Sequence, residues 1–151
     1  MRTIKKIIKK TIGVLFLVLL IIGGVIGYKG YERYKEVLEK VPLQEKIAEI
    51  RQKPSYTEIE DLPQIYLDAV VAVEDKRFYH HPGIDPISIA RAVRNDIRAR
   101  ALIEGGSTIT QQLAKNLYFG QEQSLNRKVA EGMLALKLEW NYTKEEILEY
   151  M

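Results

Sequence analysis

The stretch Gly105-Gly106-Ser107-Thr108-Ile109-Thr110-Gln111-Gln112-Leu113-Ala114-Lys115-Asn116 sets the reading of this chain. Packing alone asks of a helix start only a cap and an apolar stripe. These twelve residues add a glycine pair, three hydroxyls, two adjacent amides, a lysine and an asparagine. Ser107 or Thr108 can cap the helix, which leaves backbone N–H groups free beside a Gly-Gly hinge. The positive end of the helix dipole then favours an anion, a phosphate above all. Gln111 and Lys115 stand four apart and share a face, extending the polar surface by one turn. The competing reading is a capped surface helix without a ligand.

Upstream, Val70-Val71-Ala72-Val73 runs into Glu74-Asp75-Lys76-Arg77-Phe78-Tyr79-His80-His81-Pro82-Gly83. The C-terminal end of a helix dipole favours cations, so Glu74 and Asp75 stand where local electrostatics disfavour them. A position that breaks a local rule is a candidate for function. A carboxylate at the edge of an apolar helix is a candidate general base. The competing reading pairs both acids with Lys76 and Arg77 at the surface. His80 has no partner at metal-ligand spacing except His81, so a histidine metal centre is not expected.

Farther on, Arg127-Lys128-Val129-Ala130-Glu131 leads into residues 132–140. There Met133, Leu134, Leu136 and Leu138 predict a helix with much of its girth buried. Arg127 and Glu131 stand at i and i+4, with Ala135 on the same face. The cation-first order is the weaker one in an isolated helix, and a plain surface ion pair is the alternative.

In this order the three stretches resemble the peptidoglycan glycosyltransferase family, the polymerase domain of class A penicillin-binding proteins and of monofunctional transglycosylases. Glu74-Asp75, Phe78, His81 and Gly83 match its first motif. Gly105 to Asn116 matches the second almost without a gap, and Arg127-Lys128, Glu131, Ala135 and Glu139 match the third. Lys144-Glu145-Glu146-Ile147-Leu148-Glu149-Tyr150 matches part of the fourth. The resemblance runs from about Tyr56 to the end of the chain. It implies a mainly α, lysozyme-like domain that continues past Met151 in family members.

The resemblance also implies polymerisation of lipid II into glycan strands with release of undecaprenyl pyrophosphate. Glu74 would be the base toward the acceptor hydroxyl. Glu131 would be the second catalytic carboxylate, orienting basic groups, binding a divalent ion, or both. Asp75, Phe78, His81, Ser107, Thr110, Gln111, Gln112, Lys115, Asn116, Arg127 and Lys128 would bind substrate and its pyrophosphate. Mg²⁺ or Mn²⁺ between pyrophosphate and Glu131 is the cofactor implied, with no organic cofactor. The implied partners are lipid II, the growing glycan strand, the bacterial cytoplasmic membrane and cell-wall synthesis proteins. At Gln123, where many relatives carry a basic residue, this chain is neutral. A lysozyme-like hydrolase and a non-catalytic membrane-tethered scaffold are the alternative functions. The short approach to the first motif looks more like a monofunctional transglycosylase than a bifunctional penicillin-binding protein.

The N-terminus carries five basic residues within its first ten, followed by an uncharged run of 18 residues from Thr11 to Tyr28. At 1.5 Å per residue the run spans roughly 27 Å, close to the ~30 Å hydrocarbon core of a bilayer. It is longer than a typical signal-peptide core and no clean cleavage site follows. An uncleaved anchor is expected, with residues 1–10 in the cytoplasm and the remainder outside. Of the 23 basic residues, 18 lie beyond the anchor against 20 acidic ones, a net of −2. The basic balance therefore belongs to the anchor flank, and nothing favours nucleic acid as a partner. Without cysteine, neither disulfides nor thiolate chemistry is available.

Residues 29–55 are expected as a charged, semi-helical stalk interrupted at Pro42, and 56–151 as the glycosyltransferase domain. Asp61-Leu62-Pro63-Gln64 should start a helix with the acid as cap and Pro inside the first turn. Its Ile65, Ala69 and Val73 should form a core stripe. Asp85-Pro86 should open the next helix, through about Arg98. Its Arg91, Arg94 and Arg98 form one basic face, either solvated or in contact with anionic lipid or pyrophosphate. Residues 100–104 are expected to be mobile. Thr143-Lys144-Glu145-Glu146 reads as a capping box, and no strand is expected.

Overall fold

The computed structural model describes residues 2–101, 105–120 and 122–151, with side chains from residue 6 onward. The mobility expected between 100 and 104 falls mainly on residues 102–104, which lie outside the described residues. Among the described residues seven α-helices predominate: α1 (Arg2–Lys40), α2 (Leu43–Arg51), α3 (Gln64–Glu74), α4 (Pro86–Ala99), α5 (Ile109–Tyr118), α6 (Leu125–Asn141) and α7 (Lys144–Glu149). Short 3-10 turns stand at Ile59–Asp61 and Phe78–His80. No strand occurs among the described residues, in keeping with the expected mainly α class.

The apolar run of α1 does not end in a separate stalk. The helix continues through residues 29–40, and only Pro42 stops it. Pro42 becomes the N-cap of α2, whose Leu43 and Ile47 are 1% and 3% exposed. They are one turn apart, so a single narrow stripe of an otherwise charged helix enters the core. The core therefore begins near residue 43, not at 56, and Val37 and Leu38 pack against it as well.

α6 is the centre of the fold. Ala130, Leu134 and Leu138 are fully buried, against α5 on one side and the second half of α1 on the other. The sequence overstated its burial at the far end, where Leu136 and Trp140 are exposed. α1 and α6 cross at Gly30, where a Cβ would lie 2.5 Å from Val129 Cβ and 3.1 Å from the Asn126 carbonyl oxygen. Only glycine allows this approach. Arg33 strengthens the crossing by pairing with Glu122 and lying 5.7 Å from the Phe119 ring centroid.

Two expectations about α3 fail. Its N-cap is Pro63 and no side chain caps it; Asp61 closes the preceding 3-10 turn instead. The helix meets the core through Leu67, Val70 and Val71, while Ile65 and Val73 are 79% and 78% exposed. α3 is apolar on nearly every side, so periodicity alone could not choose the buried face.

Candidate active site

The loop after α3 is locked from within. Asp75 Oδ2 accepts the backbone N–H of Ile109 (3.2 Å) at the first turn of α5 and the His81 Nε2–H (2.9 Å). His81 Nδ1 accepts the Gly83 N–H (3.1 Å), which places the imidazole proton on Nε2. Thr108 Oγ1 donates to the Gly83 carbonyl (2.6 Å) and accepts from the Gln111 N–H (3.1 Å). Gln111 Oε1 accepts the Thr108 N–H in return, completing a capping box. Gly83 itself sits at φ 97°, and a Cβ there would stand 2.9 Å from the Ala135 carbonyl oxygen.

This geometry corrects the reading of the helix start. The anion at the positive end of α5 is the chain's own Asp75 carboxylate, and Thr108, not Ser107, is the cap. The resemblance implies that Asp75, Phe78, His81, Thr110 and Gln111 face substrate, yet all five are buried. Their polar atoms are taken up inside the protein, because a loop crossing two helix ends must satisfy its polar groups there. Thr110 Oγ1 donates to Glu139 Oε1 (2.5 Å). Lys144 Nζ meets that same oxygen (2.7 Å), donates to the His81 carbonyl (2.7 Å) and lies 4.3 Å from the Phe78 ring centroid. Neither acid–neighbour pair considered from sequence forms: Arg77 pairs with Asp85 (3.0 Å), not with Glu74 or Asp75.

Asp85 is a residue that the sequence treated only as a helix opener. Its side chain is 1% exposed and accepts from Ile87 N–H (3.0 Å), Ser88 Oγ (2.7 Å) and Arg77 Nε. Burial pushes its carboxyl up, but the Ser88 hydroxyl, the Ser88 and Ile87 amides and the Arg77 charge outweigh burial. The net position is below the ordinary carboxylate range. Asp75, His81 and Asp85 offer ligand atoms within 4.8 Å of one another. Each is already engaged by a donor of the chain, and Arg77 supplies compensating charge to Asp85, so the three form a hydrogen-bonded structural network.

Glu74 and Gln112 stand at one end of the remaining polar groups and the α6 cluster at the other. Glu74 is exposed, held by a single bond from Gln112 Nε2 (2.8 Å). The pair stands between two cavities and lines both. One, about 540 Å³, is also lined by Val73, Lys76, Arg91, Gly105 and Ser107. The other, about 690 Å³, runs past Tyr66, Leu67, Asn116, Leu148 and Glu149. Ser107 Oγ accepts from Lys128 Nζ (2.5 Å), and Lys128 lies 3.3 Å from Glu131 Oε2. Arg127 holds the other oxygen of Glu131, which is 1% exposed. Both Glu131 oxygens thus face cations of the chain, and this arrangement does not fit a divalent ion on that carboxylate. The ion pair itself forms as the i, i+4 spacing suggested, but in the interior. Lys115 is half-buried, with no carboxylate paired to it among the described residues, and Asn116 is exposed. Sequence reasoning missed Lys76, which it read as a partner for the neighbouring acids; no local signal distinguishes it.

Val129 follows Lys128 directly and is the residue that touches Gly30. Gly30 lies two residues beyond the uncharged run of α1, about 3 Å along the helix axis. Residues 6–40 contain a stretch long and apolar enough to cross a membrane, with mean hydropathy 2.5. The cation-bearing end of α6 is therefore level with the end of that stretch.

Residues 43–151 match the family model described as transglycosylase. Penicillin-binding protein 1A of Aquifex aeolicus is 48% identical over 98 residues, which is 65% of this chain and 14% of that protein. Penicillin-binding protein 1F of Bacillus subtilis is 50% identical over 91 residues, 60% of this chain and 13% of that protein. Penicillin-binding protein 1B of Haemophilus influenzae is 44% identical over 91 residues, 60% of this chain and 12% of that protein. The chain spans about a seventh of the length of these curated relatives. The family match starts at Leu43, the residue at which the buried core of α2 starts, and it takes in the locked loop, the Glu74–Gln112 pair and the Arg127–Lys128–Glu131 cluster: the chain belongs to the transglycosylase family, glycosyltransferases of lysozyme-like helical fold.

Proposed function

We propose that this chain carries the part of a peptidoglycan glycosyltransferase that joins lipid II units into glycan strands and releases undecaprenyl pyrophosphate. The observation that carries the reading is the position of Glu74 between two cavities, one of them cationic. A polymerase must hold two sugars with a base between them. Glu74 takes the proton of the acceptor hydroxyl, the oxygen attacks the anomeric carbon of the donor, and the carbon–oxygen bond to pyrophosphate breaks. Gln112 orients the Glu74 carboxylate. The leaving group needs positive charge, not a proton. Lys128 and Arg127 supply it from one side and Lys115 from the next helix, with Glu131 fixing the two α6 cations in place.

The height of α6 relative to the apolar run of α1 suits a donor whose pyrophosphate sits at a bilayer surface. In this reading α1 spans the cytoplasmic membrane with residues 1–10 inside. A divalent cation would accompany the pyrophosphate without Glu131 as its ligand. Asp75, Phe78, His81, Thr110 and Gln111 act as positioning residues that hold Glu74 and the start of α5.

The test is this protein incubated in detergent with lipid II. Glycan strands separated by gel, with one undecaprenyl pyrophosphate per bond formed, are the expected products. Shortening of preformed glycan with no lipid release would establish a hydrolase instead. Tight lipid II binding without turnover would establish a scaffold.

A further inference from the structure

Lys144 stands where the helix dipole disfavours it. It is the first residue of α7, whose first turn otherwise carries Glu145 and Glu146. Acids suit the positive end of a helix and a cation does not. The side chain finds its partners outside its own helix. Its ammonium donates to the His81 carbonyl (2.7 Å) and to Glu139 Oε1 (2.7 Å), and lies 4.3 Å from the centre of the Phe78 ring. Only 18% of the Lys144 side chain is exposed, and 9% of that of Glu139. A residue that breaks a local rule and is then buried on distant partners is a candidate for a role beyond its own helix.

Two series of contacts run from this ammonium to Glu74 and Gln112. The first is the loop. Lys144 touches it at His81 and Phe78, and the Phe78 N–H donates to the carbonyl of Asp75 (2.9 Å), the residue after Glu74. The Asp75 N–H in turn closes the end of α3 on the Val71 carbonyl (3.0 Å). The second series passes through α6 to α5. Glu139 Oε1, the oxygen that Lys144 holds, also accepts from Thr110 Oγ1 (2.5 Å). Thr110 is two residues before Gln112, whose side-chain amide donates to Glu74 (2.8 Å). One ammonium therefore bears on both sides of the Glu74–Gln112 contact, while Lys144 itself lines neither of the two cavities.

We propose that Lys144 is a positioning residue for transfer: it ties the loop after Glu74 to the start of α5 and so fixes the direction in which Glu74 faces the acceptor hydroxyl. This role rests on the reading of Glu74 as the base. With the ammonium in place, loop and helix share one anchor, and Gln112 meets Glu74 in a single arrangement. Without it the His81 carbonyl loses a donor, Glu139 loses its cation, and the loop can shift against α5. A shift of about 1 Å at a reacting group costs on the order of 10²-fold in rate. The cations assigned to pyrophosphate, Lys115, Arg127 and Lys128, are untouched, so the effect falls on kcat and not on KM.

The variants are Lys144→Met, which keeps an unbranched stem without the charge, and Thr110→Val, an isostere that cuts only the α5 branch. Each is made alone, with Gln112→Ala and with Glu74→Gln, and turnover of lipid II in detergent is measured beside thermal melts. Lys144→Met should lower kcat roughly 10–100-fold with KM within about twofold, and Thr110→Val should lower it by a smaller factor. In the Gln112→Ala and Glu74→Gln backgrounds the same changes should cost less than about threefold further, because the contact they set is already gone. A residue that only holds the fold gives another pattern: the same factor in all three backgrounds, in step with the folded fraction. That pattern overturns the proposal, as does wild-type kcat in Lys144→Met. Should Lys144→Met melt below the assay temperature, the Thr110→Val cycle decides by the same two outcomes. Glu74→Gln with wild-type turnover overturns the base reading, and the role of Lys144 with it.

Discussion

Gly30 and Val129 meet so closely that a Cβ on Gly30 would stand 2.5 Å from the valine Cβ. The contact joins the apolar helix to the helix that carries Arg127, Lys128 and Glu131. Two effects oppose each other in Gly30→Ala. Helix propensity favours alanine by about 1 kcal/mol, while overpacking costs about 1–3 kcal/mol. A 2.5 Å approach to a β-branched side chain cannot be relieved by a rotamer change, so the steric effect should win. Thermal melts in detergent should show a lower midpoint, and transfer should fall further than stability because the α6 cations shift. A variant as stable and as active as wild type would show that the crossing is not a constraint.

Glu74→Gln should leave the fold intact and lower turnover by about 10²–10⁴-fold. Glu74 is exposed and makes one side-chain hydrogen bond, to Gln112. Its loss should therefore cost less than about 1 kcal/mol of stability. Lipid II binding should persist. Turnover above roughly a tenth of wild type would remove Glu74 from the base role.

The sequence carried the helices well and the roles unevenly. Thr143–Glu146 and Asp85–Pro86 are local signals, and both caps form as written. Which face of α3 is buried was not legible, because Ile65, Ala69 and Val73 compete with Leu67, Val70 and Val71 on an evenly apolar helix. The Asp75–His81–Gly83 lock was hidden for another reason. Polar residues in a motif look alike from sequence whether they face a ligand or one another, and only the meeting of the loop with α5, more than thirty residues later, separates the two. Glu74 and Asp75 are adjacent, yet one is exposed and the other is 6% exposed. The extra length of the core, back to Leu43, was missed because two apolar residues in a charged helix make a weak stripe.

Glu131 offers a contrast with Glu74. It is 1% exposed, with Arg127 on one oxygen and Lys128 near the other. Glu131→Ala should be markedly destabilising, because it leaves a largely buried guanidinium unpaired. Removal of one partner of a buried pair costs about 3–5 kcal/mol, and the partial exposure of Lys128 places this case near the lower end. Glu131→Gln should lose less stability but should scatter the two cations, raising KM for the lipid donor. Equal stability of wild type and Glu131→Ala in denaturant melts would mean that Arg127 finds another partner.

Asp85 gives a pH signature that separates electrostatics from shape. Its folded-state carboxyl is below the ordinary range: burial raises it, and the hydrogen bonds from Ser88 and Ile87 with the Arg77 charge lower it by more. In acid the unfolded chain then binds the proton more readily than the folded chain, so stability rises with pH there. The contribution of Asp85 is complete above its unfolded value, about 3.9, and is lost as pH falls through the lower folded value. Asp85→Asn keeps an acceptor for the Ile87 N–H but gives up the charge facing Arg77. At pH 7 the variant should be less stable by about 1–2 kcal/mol, the range for a charged hydrogen bond with a partly exposed partner. Denaturant melts at pH 7, 5 and 3 should show a gap that holds between the first two and narrows at the third, as wild type alone loses its charge. A gap unchanged at pH 3 would assign the cost to packing of the amide, and the role of the Asp85 charge in locking the loop would fall.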